Sequence, residues 1–361
     1  MGRPASSEDR AIIALPVRFG GLGIQDPTAT AQIEYEASVK VTERLTNVIY
    51  QQQKSLSGFD YHKVTLAKAE IQLEKNLRFS LQLKEIMSKA DPLTQRSLES
   101  AKEKGASSWL TSLPLKRLGF VLNKQEFRDA IALRYNWNIP NIPKFCGCGK
   151  KNSVVHTLSC HMGGYTHMRH DSLRDTMANL MREAGCSDVQ TEPSLLPVNP
   201  NDFQPRNNTA EGARLDISVR GLQSPFERTF FDVRVSHPFA ASNVTVSLKA
   251  LYERNEAEKK ALYEERVLQV EKGSFQPLVF LTTGGTGPCC TKVIKRIAGK
   301  IASKKGENYS QVINFVRTRL RFALLRSVLI AVRGSRGRVI REAHVGKVAF
   351  NLIPSWHPYD C

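Results

Sequence analysis

The sequence predicts an α/β protein built in three parts: a helical N-terminal region, a small Cys/His knuckle, and a mixed sheet flanked by helices. Three observations carry this. The first 140 residues hold long, charged stretches of helical character and no strand-like run. Three cysteines and a histidine then fall within the fifteen residues from Cys146 to Cys160. Beyond them, short β-rich runs alternate with helical stretches, the pattern of a sheet with packed helices.

In chain order, residues 11–27 are punctuated by Gly20, Gly21 and Gly23 and read as a loop-rich lead-in. Helices are expected from about Ala29 to Gln53 and from about Tyr61 to Ser88, and Asp91-Pro92 reads as the start of a third. A turn around Pro114 precedes a helix from about Asn123 to Tyr135, with Phe127, Ile131 and Arg134 or Tyr135 on its buried side and Trp109 as an anchor.

Cys146, Cys148, His156 and Cys160 supply three thiols and one imidazole, and Gly147 and Gly149 permit a tight turn around the first two. His156 and Cys160 share one face of a short helix by their i, i+4 spacing. Four such ligands close a tetrahedral zinc site of the structural kind. His161 competes with His156 for the fourth place. Seven cysteines, an odd number, suit this better than a disulfide framework.

Gly163 and Gly164 read as a hinge, and Arg169-His170-Asp171 as the opening of a helix to about Ala184, capped by Asp171 or Ser172. Taken alone, His170 is more often a capping or core histidine than a catalytic one. A short strand ends at Pro193 and carries Glu192, which is a candidate metal acid and equally a commonplace loop residue. The insertion from Asn199 to Asn208 is polar and is expected to be mobile.

The runs Arg214–Val219 and Phe230–Val235 alternate apolar and polar residues with period two, as half-buried strands do. Gly221–Pro225 supplies the turn between them. Asp216 and Asp232 are equidistant in sequence from Ser224, so a symmetric hairpin sets them opposite each other, Cβ atoms on the order of 5 Å apart. Carboxylates that close repel unless a cation lies between them. Magnesium, bound by oxygens at roughly 2.0–2.1 Å, is the natural one. Downstream, Glu256, Lys259, Tyr263 and Arg266 fall on one arc of a helix, while Lys260 is rotated away from it. A lysine beside a carboxylate-bound metal suits phosphodiester hydrolysis. An edge hairpin with solvated aspartates beside an exposed charged helix has the same spacing.

The strings RLDISVRG, FFDVRVSHP, EKKALYEERV and FQPLVFLTTGG together resemble the restriction-like endonuclease domain of non-LTR retrotransposon polyproteins, a variant of the PD-(D/E)xK nuclease fold. The resemblance covers nearly the whole chain, most specifically from Cys146 to Gly285. The opening resembles the end of a reverse-transcriptase thumb, although residues 1–140 hold no paired-aspartate polymerase motif. It implies four parts: thumb remnant and linker over 1–140, a Cys-Cys-His-Cys zinc knuckle over 141–172, the endonuclease core over 173–303, and a basic helix and tail over 304–361. It further implies Asp216 and Asp232 as the magnesium acids, Lys259 as a catalytic lysine moved from strand to helix, Glu192 as an added acid, and Tyr263 beside the lysine. An Arg-His pair lies near the active site in that family. Leu215 stands where many such nucleases have proline, and Arg234 stands where D-x-K has its lysine, so the role falls to Lys259 or Lys260. The implied cofactors are structural Zn²⁺ and catalytic Mg²⁺. The implied partners are DNA, the element RNA as a further candidate, and the reverse-transcriptase part of the parent polyprotein, in the nucleus. A catalytically dead nucleic-acid-binding remnant of such an element is the alternative.

Composition agrees with a polyanionic partner. Net charge is +18, and between Lys292 and Lys347 fifteen Lys and Arg stand against only Glu307 and Glu342, a share of +13. After the run FQPLVFLTT, expected as a further central strand, the Gly284–Gly287 turn does not match a phosphate loop. Helices are expected over Lys292–Ser303 and Gln311–Val332. In the second, Val312, Val316, Phe322, Leu325 and Leu329 form the apolar side, flanked by Arg317, Arg319, Arg321 and Arg326. The glycine-broken basic tail beyond is expected to be poorly ordered. Met1 to Arg10 is polar, so no secretory leader is expected. The longest apolar run, Phe322 to Val332, is too short to span a bilayer, so no transmembrane segment is expected; an acidic membrane surface is the rival polyanion for the basic stretch, and nucleic acid rather than membrane is the expected partner.

Overall fold

A computed structural model describes residues 5–52 and 61–334. It is a mixed α/β structure with eleven α-helices and one four-stranded mixed sheet among those residues. Two compact units divide the chain between Lys102 and Glu103. The expected basic tail lies outside the described residues from 335 onward.

The first unit contains α1 (Ser7–Ala14), α2 (Pro27–Tyr50), α3 (Tyr61–Lys89) and α4 (Pro92–Lys102). Proline at the first helical position, with Asp26 accepting from the Thr28 N–H, starts α2. Asp91 does the same for α4 through the amides of Leu93 and Thr94. Pairs such as Lys75–Glu34 at 2.6 Å and Lys40–Glu70 at 2.9 Å join α2 to α3.

The second unit starts with α5 (Ser108–Thr111) and α6 (Lys124–Arg134), and both pack on α11 (Tyr309–Arg333). Those contacts put the unit boundary near residue 102 rather than near 140. Trp109 is buried as expected, whereas Phe127 is exposed and meets the Trp109 ring edge-on at 5.8 Å. Next come α7 (Val154–Ser159), α8 (Tyr165–Glu183), β1 (Ser187–Thr191), β2 (Ile217–Arg220), β3 (Arg228–Ser236), α9 (Leu248–Gln269), β4 (Ser274–Leu281) and α10 (Pro288–Lys305).

Strand order is β1-β2-β3-β4, antiparallel across the first two pairs and parallel between β3 and β4, which α9 connects. A parallel pair needs such a crossover. On one face, Ile217, Val219, Phe231, Val233, Leu278 and Phe280 join α8, α10 and α11 in one core. Side chains of opposite parity enter two smaller clusters, Phe230 and Phe275 with Val267 of α9, and Val279 and Leu281 with Leu251 and Tyr252 of α9. The sheet is therefore covered on both faces. That alters the expected half-buried strand: the five residues from Thr229 to Val233 are all buried, because β3 is central and not an edge.

Two further expectations change for the same reason. α11 is packed against α5, α6, α7, α8 and α10, so Arg319 and Arg321 are buried rather than flanking an apolar stripe. Arg321 donates from Nε to the Ala106 carbonyl at 2.9 Å, and burial depresses its pKa to about 9. The Asn199–Asn208 insertion is anchored at its end: the Asn208 amide donates to Leu262 O at 2.9 Å, and the fully buried Arg266 donates to the carbonyls of Asn208 and, at 2.8 Å, Leu196. Arg266→Met should remove the donor that both carbonyls share and lower stability by about 2 kcal/mol. Urea unfolding checks this as a lower midpoint at unchanged slope.

Candidate active site and metal centre

The knuckle begins as a narrow turn. Phe145 and Lys151 form an antiparallel bridge, the Cys146 amide donates to Lys150 O at 3.0 Å, and the Gly149 amide returns to Cys146 O at 2.9 Å. Gly149 has φ +86, a conformation that side chains disfavour. Ser153 then caps α7 by accepting from the His156 amide, and Cys160 ends the helix with its amide on His156 O. The ligand atoms of Cys146, Cys148, His156 and Cys160 consequently lie within 4.8 Å of one another. Cys146 Sγ to Cys160 Sγ is 3.9 Å, and Cys148 Sγ to His156 Nε2 is 3.3 Å. Tetrahedral Zn–S and Zn–N bonds require edges of roughly 3.8 Å and 3.5 Å respectively. The cluster can therefore hold a metal such as zinc. His161 lies outside it, with Nδ1 3.4 Å from the Thr166 hydroxyl.

The second centre lies where β2 meets β3. Pairing of Ile217 with Phe231 and Ser218 with Phe230 places Asp216 opposite Asp232 in register. Asp216 itself sits at a bend just before β2, which lets Leu215 and Ile217 enter different clusters. Its Oδ2 accepts from the Val233 amide at 2.5 Å and lies 3.0 Å from His170 Nε2. The other ring nitrogen, Nδ1, is 3.2 Å from Asp171. Both ring nitrogens thus face carboxylates, which calls for the imidazolium, and the hydrogen bond to Asp216 raises the His170 pKa to about 9.

Asp232 is buried, and Lys259 Nζ on α9 is 2.6 Å from its Oδ2. Burial raises the Asp232 pKa, the Lys259 ammonium opposes that rise, and the Asp216 charge adds to it. Tyr263 lies one turn beyond, its ring centroid 5.8 Å from Lys259 Nζ and its hydroxyl accepting from Asn208 at 3.3 Å. Glu256 and Arg266 share that arc for other purposes. Glu256 accepts from the Cys289 amide at the start of α10, and Arg266 ties down the insertion. Lys260 is exposed, with Glu264 3.9 Å away, and Arg234 pairs with Glu258. Neither is paired with Asp232.

Glu192 is placed differently from the two aspartates. Its amide donates to Asp216 O at 2.9 Å, but its carboxylate is held by Arg174 of α8, with Arg214 at 3.8 Å. Among the described residues, the Cys146–Cys160 group is the one set of three or more His, Cys, Asp or Glu whose ligand atoms converge as a metal cage does. Arg174 and Asp171 are site neighbours that spacing did not single out. The signal available was the i, i+4 relation of His170 and Arg174, visible once α8 is seen to start at Tyr165 behind Gly164 rather than at Arg169. No model of a known protein family matches the chain, and no curated protein matches it.

The two centres are linked. Arg169, buried beside His170, donates from Nη1 to Leu158 O at 3.1 Å, and Leu158 lies between His156 and Cys160 on α7. Purified protein should carry about one zinc per chain by metal analysis. Cys160→Ser should release the zinc and lower the melting temperature, since metal binding and local folding are coupled in so small a unit. The His170–Asp216 pair predicts a pH dependence in Mg²⁺-free protein. A cation whose folded pKa is raised contributes stability that is complete below its unfolded value, about 6.5, and is lost as pH rises through about 9. Thermal melts from pH 6 to 10 should show that decline in wild type and a flatter profile in His170→Asn.

Proposed function

We propose that the second unit is a magnesium-dependent DNA endonuclease, similar to the restriction-like endonuclease region of non-LTR retrotransposon polyproteins, with the knuckle as its zinc-bound structural element. The observation that carries this reading is the opposed pair Asp216 and Asp232, with Lys259 2.6 Å from one and His170 3.0 Å from the other. Two carboxylate donors match a cation that keeps several waters and takes the rest of its ligands from substrate phosphate. Asp216 and Asp232 would hold the magnesium, which when bound polarises a phosphodiester and eases ionisation of a water.

Within this reading each side chain has a distinct task. Lys259 keeps a compact positive charge beside Asp232 and offsets charge developing on the scissile phosphate. Tyr263, tied to Asn208, limits where the Lys259 ammonium can go, and so acts as a positioning residue. His170 compensates Asp216 when no metal is present. Glu192 fixes the backbone at Asp216 through its amide, with Arg174 holding its carboxylate aside. The product is a nicked strand with a 3′-hydroxyl that a reverse-transcriptase partner extends, and such a partner places the work in the nucleus.

Nicking of supercoiled plasmid with Mg²⁺ tests this. Asp216→Ala, Asp232→Ala and Lys259→Ala should each reduce nicking by about 10²-fold or more while DNA binding and fold survive. Lys260→Ala should be close to wild type. A fully active Lys259→Ala removes the lysine from the mechanism, and an inactive Arg234→Ala that still binds DNA returns the role to β3. A wild-type chain that binds DNA but never nicks leaves the catalytically dead remnant as the correct reading.

A further inference from the structure

α10 has two unlike sides. Val293, Ile294, Ile297, Ala298 and Ile301 are buried in the main core. The opposite side presents Lys292, Lys295 and Arg296 exposed and Lys300 partly exposed, with no acidic residue anywhere between Pro288 and Gly306. At 100° per residue these four cations fall on one face, spread over about 12 Å of helix axis. Among the described residues none of the four makes an ion pair. Lys304, next along, is engaged with the Glu183 carbonyl.

Gly299 lies in the middle of this face. A Cβ there would meet nothing within 4 Å, and its φ is not positive, so neither packing nor backbone geometry calls for glycine. In a helix interior it costs about 1 kcal/mol relative to alanine. What glycine does offer is close approach of another backbone to the helix. Ser303, exposed one turn on, adds a hydroxyl on the same side.

We infer that this face of α10 is a docking surface for the sugar-phosphate backbone of duplex DNA, centred on Gly299. The choice of duplex DNA rests on the endonuclease reading; the chemistry of the face narrows it further. No aromatic side chain lies on the face to stack unpaired bases, as single-strand binders use. A membrane surface is disfavoured because the apolar side that an interfacial helix must insert is already buried in the core. The first turn of α10 adjoins α9, where Glu256, one turn before Lys259, accepts from the Cys289 amide, and Gly299 lies about 15 Å further along the helix axis.

The test is binding of a 30-bp duplex by the full chain, without Mg²⁺, across a salt series. The triple variant Lys295→Gln, Arg296→Gln, Lys300→Gln should bind about tenfold more weakly and lose about 2.7 from the slope of log K against log salt, about 0.9 for each contact. Its melting temperature should stay within a degree of wild type. Gly299→Leu keeps every charge, adds bulk at the centre, and should weaken binding at least threefold while the melting temperature holds or rises. An unchanged slope in the first, or unchanged affinity in the second, overturns the proposal. So does a triple variant that loses binding to phosphatidylserine vesicles or to duplex RNA while keeping duplex DNA. Normal DNA binding by the α10 variants, with nicking abolished by Asp216→Ala, sinks the docking surface alone. Binding that depends on α10 in a chain that never nicks sinks the endonuclease reading alone.

Discussion

Two carboxylates set opposite each other on adjacent strands repel, and the second unit is arranged around that repulsion. Register fixes Asp216 and Asp232 as neighbours, and neither can retreat. Asp232 lies on a central strand covered on both faces, and Asp216 is pinned at a bend by the Val233 amide. Compensation has to come from outside the sheet. It arrives from α9 as Lys259 and from α8 as His170. α9 follows β3 as the crossover to β4, so the parallel pairing of those strands is what carries Lys259 over Asp232. The topology and the charge arrangement are one constraint.

The Cys/His cluster acts on the same centre at a distance. α7 is a six-residue helix, too short to persist without tertiary support. The cluster ties its middle, at His156, and its C-cap, Cys160, to the turn at Cys146 and Cys148, and Leu158 between those two ligands accepts from Arg169. Among the described residues no carboxylate is bonded to Arg169, and burial lowers its pKa to about 10, so its place depends on the Leu158 carbonyl. His170 follows it on α8. A disturbance at the cysteines therefore reaches Asp216 through one backbone carbonyl and one arginine.

Much of this was legible in the sequence, for reasons that differ by element. The hairpin register followed from period-two alternation and the equal spacing of Asp216 and Asp232 about Ser224. The cluster followed from ligand spacing, and the Lys259 face from helical geometry with Lys260 turned away. What could not be read depended on tertiary covering. The run Phe230–Val235 reads as a half-buried strand, yet Phe230 to Val233 are all buried because α9 covers the second face. Arg319 and Arg321 look like a polar flank until five other helices surround α11. The start of α8 was hidden because its cap is Gly164 in a left-handed conformation, which supplies no side-chain acceptor, while Asp171, six residues after Tyr165, looked like a better cap. That Arg174 holds the Glu192 carboxylate could not be read either, because nothing in spacing shows that the two meet.

The nature of the Asp232–Lys259 pair decides how the centre is understood. If only stability were at stake, a buried pair would be a poor choice, since desolvation offsets most of its attraction and apolar residues of similar size serve as well or better. Phe230, Val267 and Phe275 already fill a small core next to it with such residues. Keeping a second carboxylate opposite the first raises the cost further, and His170 is then required as well. A group of four ionisable side chains that needs two separate helices to neutralise it makes physical sense where a multivalent cation is to be received. Under the proposed endonuclease reading, a divalent cation would satisfy both carboxylates at once and leave the Lys259 ammonium to face an incoming anion.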